Sequence, residues 1–279
     1  MSRYRTVSNH LKTHSHSQQL SNYRHHHAHS SNNRRKLRHR PCARQDPHKR
    51  SQFDPHYFPL TPKNGLTRLI QGYDVIATDQ NLGPAIRSLS CPVQQLDITS
   101  PDSINWCATA IGAETTIDLL LHVAGVMERP EEDTLHTVDM SKLQKTFVVN
   151  TFGPLLLTQA LLPNILKSPS PKIGVVSSRV SSMADNTSGG QYAYRASKAG
   201  VNSLFKSMSV DLKEQGVTVL VLHPGIVKTN LDPRHNEGED VPGAVEPDEA
   251  ARGLWDVLST KGMADTGRFF HRTGEELPW

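Results

Sequence analysis

Tyr194 and Lys198 stand four residues apart in "YAYRASK" (192–198). On a helix that spacing puts a phenol and an ammonium on one face. A free phenol titrates near ~10 and is a poor acid–base catalyst at neutral pH, but a neighbouring ammonium stabilises the phenolate and lowers that value. The pair by itself is common by chance and equally fits an exposed aromatic beside an exposed lysine. Other polar groups recur around it. Ser178 closes the apolar run "KIGVVSS" (172–178), where a hydroxyl can hydrogen-bond a substrate oxygen, and "HPGIVKT" (223–229) closes the next run. Asn150 lies inside "VVNTFGP" (148–154), and "HVAG" (122–125) ends the run before that.

The elements that position these groups follow an alternating pattern. "YDVIAT" (73–78) and "PVQQLD" (92–97) read as short strands, and "IDLLLHVAGV" (117–126) reads as a strand buried on both faces. Apolar residues at helical period over 143–166 predict a helix, followed by a buried strand at 172–178. The stretch 192–216 is amphipathic and ends at Gly216, a helix C-cap. "VTVLVLH" (217–223) reads as a strand stopped by Pro224-Gly225, 247–259 as a helix opened by Pro and acids, and "TGRFFH" (266–271) as a last strand. Strands separated by helices of this length imply a mostly parallel, doubly wound α/β sheet in three layers. In such Rossmann-type folds ligands bind beyond the carboxyl ends of the strands. Each polar group above falls where such a sheet presents its ligands, in the expected order.

With these motifs in this order, residues 60–279 resemble the short-chain dehydrogenase/reductase family, and the ending "DTGRFFHRTGEELPW" resembles its carbonyl-reductase-like branch that includes the C-factor proteins. The resemblance implies an NAD(P)-dependent oxidoreductase that interconverts a carbonyl and an alcohol by hydride transfer. It makes Tyr194 the proton donor and acceptor. It makes Lys198 the group that lowers the phenol's pKa and bonds the nicotinamide ribose. Ser178 would orient the substrate oxygen, although Ser177, Ser181 and Ser182 are close neighbours; its place at the strand end selects it. Asn150 would hold a water linking Lys198 to solvent. Val227 and Thr229 would hold the nicotinamide carboxamide, Asp97 and Ile98 the adenine, and Ala124 and Gly125 would allow the backbone to approach the cofactor.

Asp79 ends its strand where a carboxylate accepts both ribose hydroxyls and repels a 2′-phosphate, and Gln80 follows in place of the Arg that often accompanies a phosphate. NAD is therefore expected over NADP. Two departures from the family's pattern stand out. His122 and Val123 replace two asparagines; we read His122 as structural. More seriously, the glycine-rich phosphate loop is missing. The first glycine of the chain is Gly65, "YFPL" (57–60) offers a poor central strand because of Pro59, and Pro62 brings no N–H to a pyrophosphate. Losing the first strand would leave two unpaired edges within the sheet. The alternative function is accordingly a catalytically impaired binding or scaffold protein of the same fold.

Composition separates a tail (1–55) from the Rossmann-like domain (56–279). Residues 1–62 hold 12 Lys/Arg against Asp46 and Asp54, a net charge of +10, while residues 63–279 carry −6. The basic chain total thus describes the tail, and nucleic-acid binding by the body is not expected. The tail lacks both helical and strand periodicity and offers too little apolar surface to order itself, so disorder is expected. Its composition also brings to mind a transit peptide, a histidine metal site at "HHHAH" (25–29), or a basic arm for RNA or anionic lipid. The abrupt compositional change favours instead a gene fusion, a splicing variant or a misplaced gene start. Three cysteines without a C-x-x-C pair fit a reducing, cytoplasmic setting and no zinc site. "PLLLTQALLPNIL" (154–166) is broken by polar residues and reads as a buried helix, so no membrane contact is expected. By family analogy the long helices near 143–166 and 192–216 form a homodimer. The small-molecule substrate pocket would be lined by 127–135, 183–190 and 230–245.

Overall fold

The computed structural model describes residues 73–279 apart from 237, 239 and 240. The tail, and the stretch around Gly65 where a remnant of the phosphate loop is expected, lie outside the described residues. Two parallel sheets form. In the first, β1 (Ala77–Asp79) pairs with β2 (Val93–Gln95), Ala77 opposite Val93 and Asp79 opposite Gln95. The second has the order β3 (Leu119–His122), β4 (Lys172–Val176), β5 (Thr218–His223), β6 (Arg268–His271), every pair parallel. Among the described residues no strand pairs with the second edge of β1 or of β3. Between these two strands the resemblance expects the first strand of the fold.

Helices connect the parallel strands. Helix α1 (Pro101–Ile111) starts on Ser100, whose side chain accepts from the Ser103 N–H, with proline at its first position. Helix α2 (Met140–Phe147) is capped by Asp139, passes through a π turn at Val148–Phe152, and continues as α3 (Gly153–Ile165). Helix α4 (Tyr192–Asp211) is followed by a 3-10 turn and by Gly216 at φ 73, a left-handed conformation that glycine adopts without strain. Helix α5 (Pro247–Thr260) opens with Pro247 and carries Asp248 and Glu249 in its first turn, where acids suit the helix dipole.

Alternation along the strands produces three layers. Ile173, Val175, Val219, Val221 and Phe269 face α1, α3 and α4 in the larger core, with Ile104, Cys107, Leu161, Ile165, Val201 and Phe205. The residues between them, Leu220, Leu222 and Phe270, face Val257 and Leu258 of α5 on the opposite side. Gly174 lies on that second face, where an added Cβ would come within 3.1 Å of Leu258 and 2.9 Å of Leu121. The apolar helix Met140–Ile165 is long enough to cross a membrane by length and composition. Leu157, Leu161 and Ile165 bury one face of it in the core, while Phe152 and Leu156 are exposed. The expected strand at 117–126 is shorter in the structure because the chain leaves the ladder after His122, towards Gly125. The expected strand at 73–78 forms only from Ala77, where pairing with Val93 begins.

Candidate active site

Gly189, Gly190 and Gln191 all have left-handed backbones (φ 63, 67 and 51), and this sharp turn feeds the chain into α4. Tyr194 is therefore in the first turn of α4 and Lys198 one turn later, both on the buried face with Ala193, Ser197 and Val201. Tyr194 is 7% exposed and Lys198 3%. The Ser178 side chain lies beside the Tyr194 phenol. Burial dominates the phenol and pushes its pKa up to about 12, with the Ser178 hydroxyl pulling it down and the Asp232 carboxylate pushing it up. Lys198 Nζ lies 5.9 Å from the Tyr194 ring centroid and donates to the Val176 carbonyl at 2.8 Å; burial lowers its pKa to about 8.

The four neighbouring serines divide cleanly. Ser177 Oγ donates to Asn202 Oδ1, Asn202 Nδ2 donates to Ser181 Oγ at 2.7 Å, and Ser181 Oγ donates to the Ser178 carbonyl. The buried Ser182 accepts from the Asp185 N–H at 3.1 Å. Ser178 alone is left half-buried at the end of β4 and turned to the phenol.

Asn150 occupies the middle of the π turn and is 1% exposed. Widening the helix by one residue there aims its amide at both neighbours. Oδ1 accepts from the Val126 N–H at 2.8 Å, and Nδ2 donates to the Val126 carbonyl (2.9 Å) and Ser197 Oγ (3.0 Å). Ser197 Oγ in turn donates to the Tyr194 carbonyl at 2.8 Å. A Cβ on Gly125 would sit 3.4 Å from both Asn150 Oδ1 and Lys198 Nζ, so the bare glycine, Asn150 and Lys198 converge.

The residues expected around a cofactor line the carboxyl ends of successive strands. Asp79 is exposed at the end of β1, its Oδ1 accepting from the Asn81 N–H at 2.7 Å. Beyond β2, Asp97 Oδ1 accepts from the Thr99 hydroxyl (2.7 Å) and N–H (2.9 Å), which holds its carboxyl below the usual range. Ile98 packs against Gly153, where a Cβ would come within 2.6 Å of Ile98 Cγ1. Ala124 is exposed just past β3. Val227 forms a parallel bridge to Val245, and Thr229 Oγ1 accepts from the Leu231 N–H at 3.4 Å. Carboxylates at two strand ends suit ribose hydroxyls and an adenine amine, and the pinch at Gly125 suits a closely approaching ring. The residues present thus fit the two nucleoside halves of a dinucleotide. The segment expected to hold its phosphates lies outside the described residues.

His122 has no part in this arrangement. Thr158 Oγ1 commits its one proton to the Pro154 carbonyl (2.8 Å), so His122 Nε2 is the donor in the 2.9 Å contact between them. The ring meets Phe205 edge-on at 5.5 Å, and burial lowers its pKa to about 3, which keeps it neutral. Sequence reasoning passed over Ser197, although it adjoins Lys198 within the quoted motif, and also Asp133 and Asp232, which carry no local signal. Among the described residues no group of three His, Cys, Asp or Glu could hold a metal.

The family described as short chain dehydrogenase matches residues 69–240. The 1-hydroxy-2-glutathionyl-2-methyl-3-butene dehydrogenase of Rhodococcus sp. (strain AD45) is 36% identical over 214 residues, covering 75% of this chain and 90% of that protein. The C-signal of Myxococcus xanthus is 37% identical over 163 residues, 58% of this chain and 93% of its own. A crystal structure of an NADPH-bound carbonyl reductase from chicken fatty liver superposes with a TM-score of 0.66 at 27% identity, covering 77% of this chain and 95% of the other.

Proposed function

The chain belongs to the short-chain dehydrogenase family, and from that premise we propose that it interconverts a carbonyl and an alcohol by hydride transfer, with Tyr194 as the acid–base group. The observation that carries this reading is the convergence of the Ser178 hydroxyl, the buried Tyr194 phenol and the buried Lys198 ammonium beyond the carboxyl end of β4. Two hydroxyls from different elements converge there, and a carbonyl oxygen can receive a bond from each. Bound beside them, a nicotinamide dinucleotide supplies or accepts the hydride. Tyr194 keeps its proton through the neutral range and gives it to the oxygen as negative charge develops there. Ser178 donates to the same oxygen and favours the developing charge. Lys198, a buried cation 5.9 Å from the ring, stabilises the phenolate left behind. Asn150 fixes the loop after β3 against α4, and a water on Lys198 returns the proton.

Asp79, Asp97, Ile98, Ala124, Gly125, Val227 and Thr229 would hold the dinucleotide. The chicken reductase is bound to NADPH, but the Asp79 carboxylate opposes a 2′-phosphate, so we infer that this chain prefers NAD. Exposed Phe152 and Leu156, one helical turn apart, together with Val210 of α4, support a homodimer through these helices. Free Cys91 and Cys107 support a cytoplasmic setting.

The test is titration of the purified chain with NAD and NADP by tryptophan fluorescence, followed by turnover of a panel of aldehydes and ketones. Saturable binding, tighter for NAD, and turnover abolished by Tyr194→Phe with dinucleotide binding retained are expected. Full activity in Tyr194→Phe, or a folded chain that binds neither dinucleotide, would overturn the reading; the latter result would favour a scaffold.

A further inference from the structure

The first turn of any helix presents N–H groups that have no partner within the helix. In α4 these belong to Tyr192, Ala193 and Tyr194, and the residue before them, Gln191, makes no side-chain cap. All three go to one residue far upstream in the chain. The Asp133 carbonyl accepts from the Tyr192 N–H (3.3 Å), its Oδ1 from Ala193 (2.8 Å) and its Oδ2 from Tyr194 (3.1 Å). Asp133 is 1% exposed. A carboxylate buried that deeply needs strong compensation, and here it comes from two charge-assisted bonds and the positive end of a 20-residue helix.

The same loop is tied to α4 at a second point. Val126 bonds Asn150, Asn150 bonds Ser197 Oγ, and Ser197 Oγ donates to the Tyr194 carbonyl. The Tyr194 N–H is therefore held from outside α4 by Asp133, and its carbonyl takes a bond from Ser197 Oγ, one turn on in α4, which Asn150 ties to the same loop. With the backbone pinned, the phenol's position depends only on its own side-chain rotamer. We propose that Asp133 is a positioning residue for Tyr194: it caps α4 from the loop after β3 and so holds the phenol against Ser178. This rests on Tyr194 being the acid–base group. A cap that served stability alone would contribute to folding and nothing to the chemical step.

The experiment compares Asp133→Ala and Asp133→Asn with wild type and with Val257→Ala, a core substitution under α5 on the opposite face of the sheet. Three quantities are read: kcat and KM for a carbonyl substrate, thermal midpoint, and hydrogen exchange of the 191–197 amides. Displacing a reacting group by about 1 Å can cost roughly 100-fold. Asp133→Ala should lose kcat on that order with little change in KM for the dinucleotide, and its first-turn amides should exchange faster. Asp133→Asn keeps the shape and one acceptor oxygen, so it should recover part of the rate; it also carries the test if the alanine variant fails to fold. Val257→Ala should lower the midpoint and keep kcat. Wild-type kcat in both Asp133 variants, or a loss no greater than that of Val257→Ala at matched midpoint, would overturn the proposal. If the wild type turns over no carbonyl, the functional reading fails separately and exchange decides: first-turn amides as protected in Asp133→Ala as in wild type would overturn the role of Asp133.

Discussion

The Lys198 ammonium donates to the Val176 carbonyl at 2.8 Å, so the cation of the site is anchored to the last residue of the strand that leads to Ser178. It is 3% exposed, and burial takes its pKa down to about 8 from 10.5. Between these values the unfolded chain binds a proton that the folded chain does not, so this group makes stability rise with pH from about 8 to 10.5. Below pH 8 both states are charged, and burying the charge costs up to about 3 kcal/mol before the Val176 bond offsets part of it. Lys198→Met is therefore expected to be more stable than wild type at pH 7 while losing turnover, with the gap narrowing above pH 8. Urea midpoints of both proteins from pH 7 to 10 check this; a variant less stable at pH 7 would contradict it.

Gly153 gives a way to disturb the cofactor side alone. Alanine is favoured over glycine inside a helix by about 1 kcal/mol. Here its Cβ would lie 2.6 Å from Ile98 Cγ1 and 2.8 Å from the Ile98 carbonyl, and a backbone atom cannot move aside cheaply. Overpacking of this kind costs about 1–3 kcal/mol, so the clash wins. Gly153→Ala should lower the thermal midpoint and shift the segment that carries Asp97 and Ile98. Its KM for the dinucleotide should rise several-fold while kcat at saturation stays near wild type. A fall in kcat with unchanged KM would place the damage elsewhere.

The layers were legible in the sequence because burial wrote them there. β4 and β5 are continuous apolar runs covered on both faces, α4 carries an amphipathic stripe, and Gly216 ends its region at φ 73. Helix α1 went unread although Ser100-Pro101-Asp102 is a start signal, because its few buried side chains, Ile104 and Cys107, make a weak stripe. The π turn left no trace: helical periodicity runs through 143–166, and nothing local marks the widening at Asn150. Strand ends were misjudged where pairing decides them, as at Ala77 and His122. The chemistry was readable as far as residue types and order go, since Tyr194, Lys198 and Ser178 sit in short motifs. Contacts made across the fold were not. The cap on α4 comes from a residue on another loop, and the direction of the Lys198 ammonium depends on a carbonyl of β4.

His122 should make the protein acid-sensitive. Its pKa falls from 6.5 to about 3 through burial, so below pH 6.5 the unfolded chain takes up a proton that the fold excludes. Stability is then lost as pH falls from 6.5 towards 3, by about 2 kcal/mol for this one group at pH 5. His223, also lowered to about 3, titrates in the same window. His122→Gln, whose amide nitrogen can stand in for Nε2 and still bond Thr158, should lose less stability than wild type between pH 7 and 5. The contrast is the difference in urea midpoints at the two pH values. An equal loss in both proteins would mean that His122 is not buried neutral.

Ser177 and Ser178 are adjacent, yet their substitution should have opposite signatures. Ser177 Oγ is locked to Asn202, so Ser177→Ala leaves a buried amide oxygen short of a partner, at about 1–3 kcal/mol in stability. It should leave kcat near wild type. Ser178 is the hydroxyl beside the phenol, and removing one such donor from a developing oxyanion costs about 100-fold to 1000-fold in rate. Ser178→Ala should show that loss with an unchanged thermal midpoint. A second readout separates orientation from chemistry. The Ser178 hydroxyl lowers the Tyr194 pKa, so its loss raises the phenol further. Alcohol oxidation needs the phenolate, hence its rate rises with pH, and in Ser178→Ala that rise should move to higher pH. If Ser177→Ala instead loses the rate and Ser178→Ala keeps it, the half-buried serine at the end of β4 does not touch the substrate oxygen.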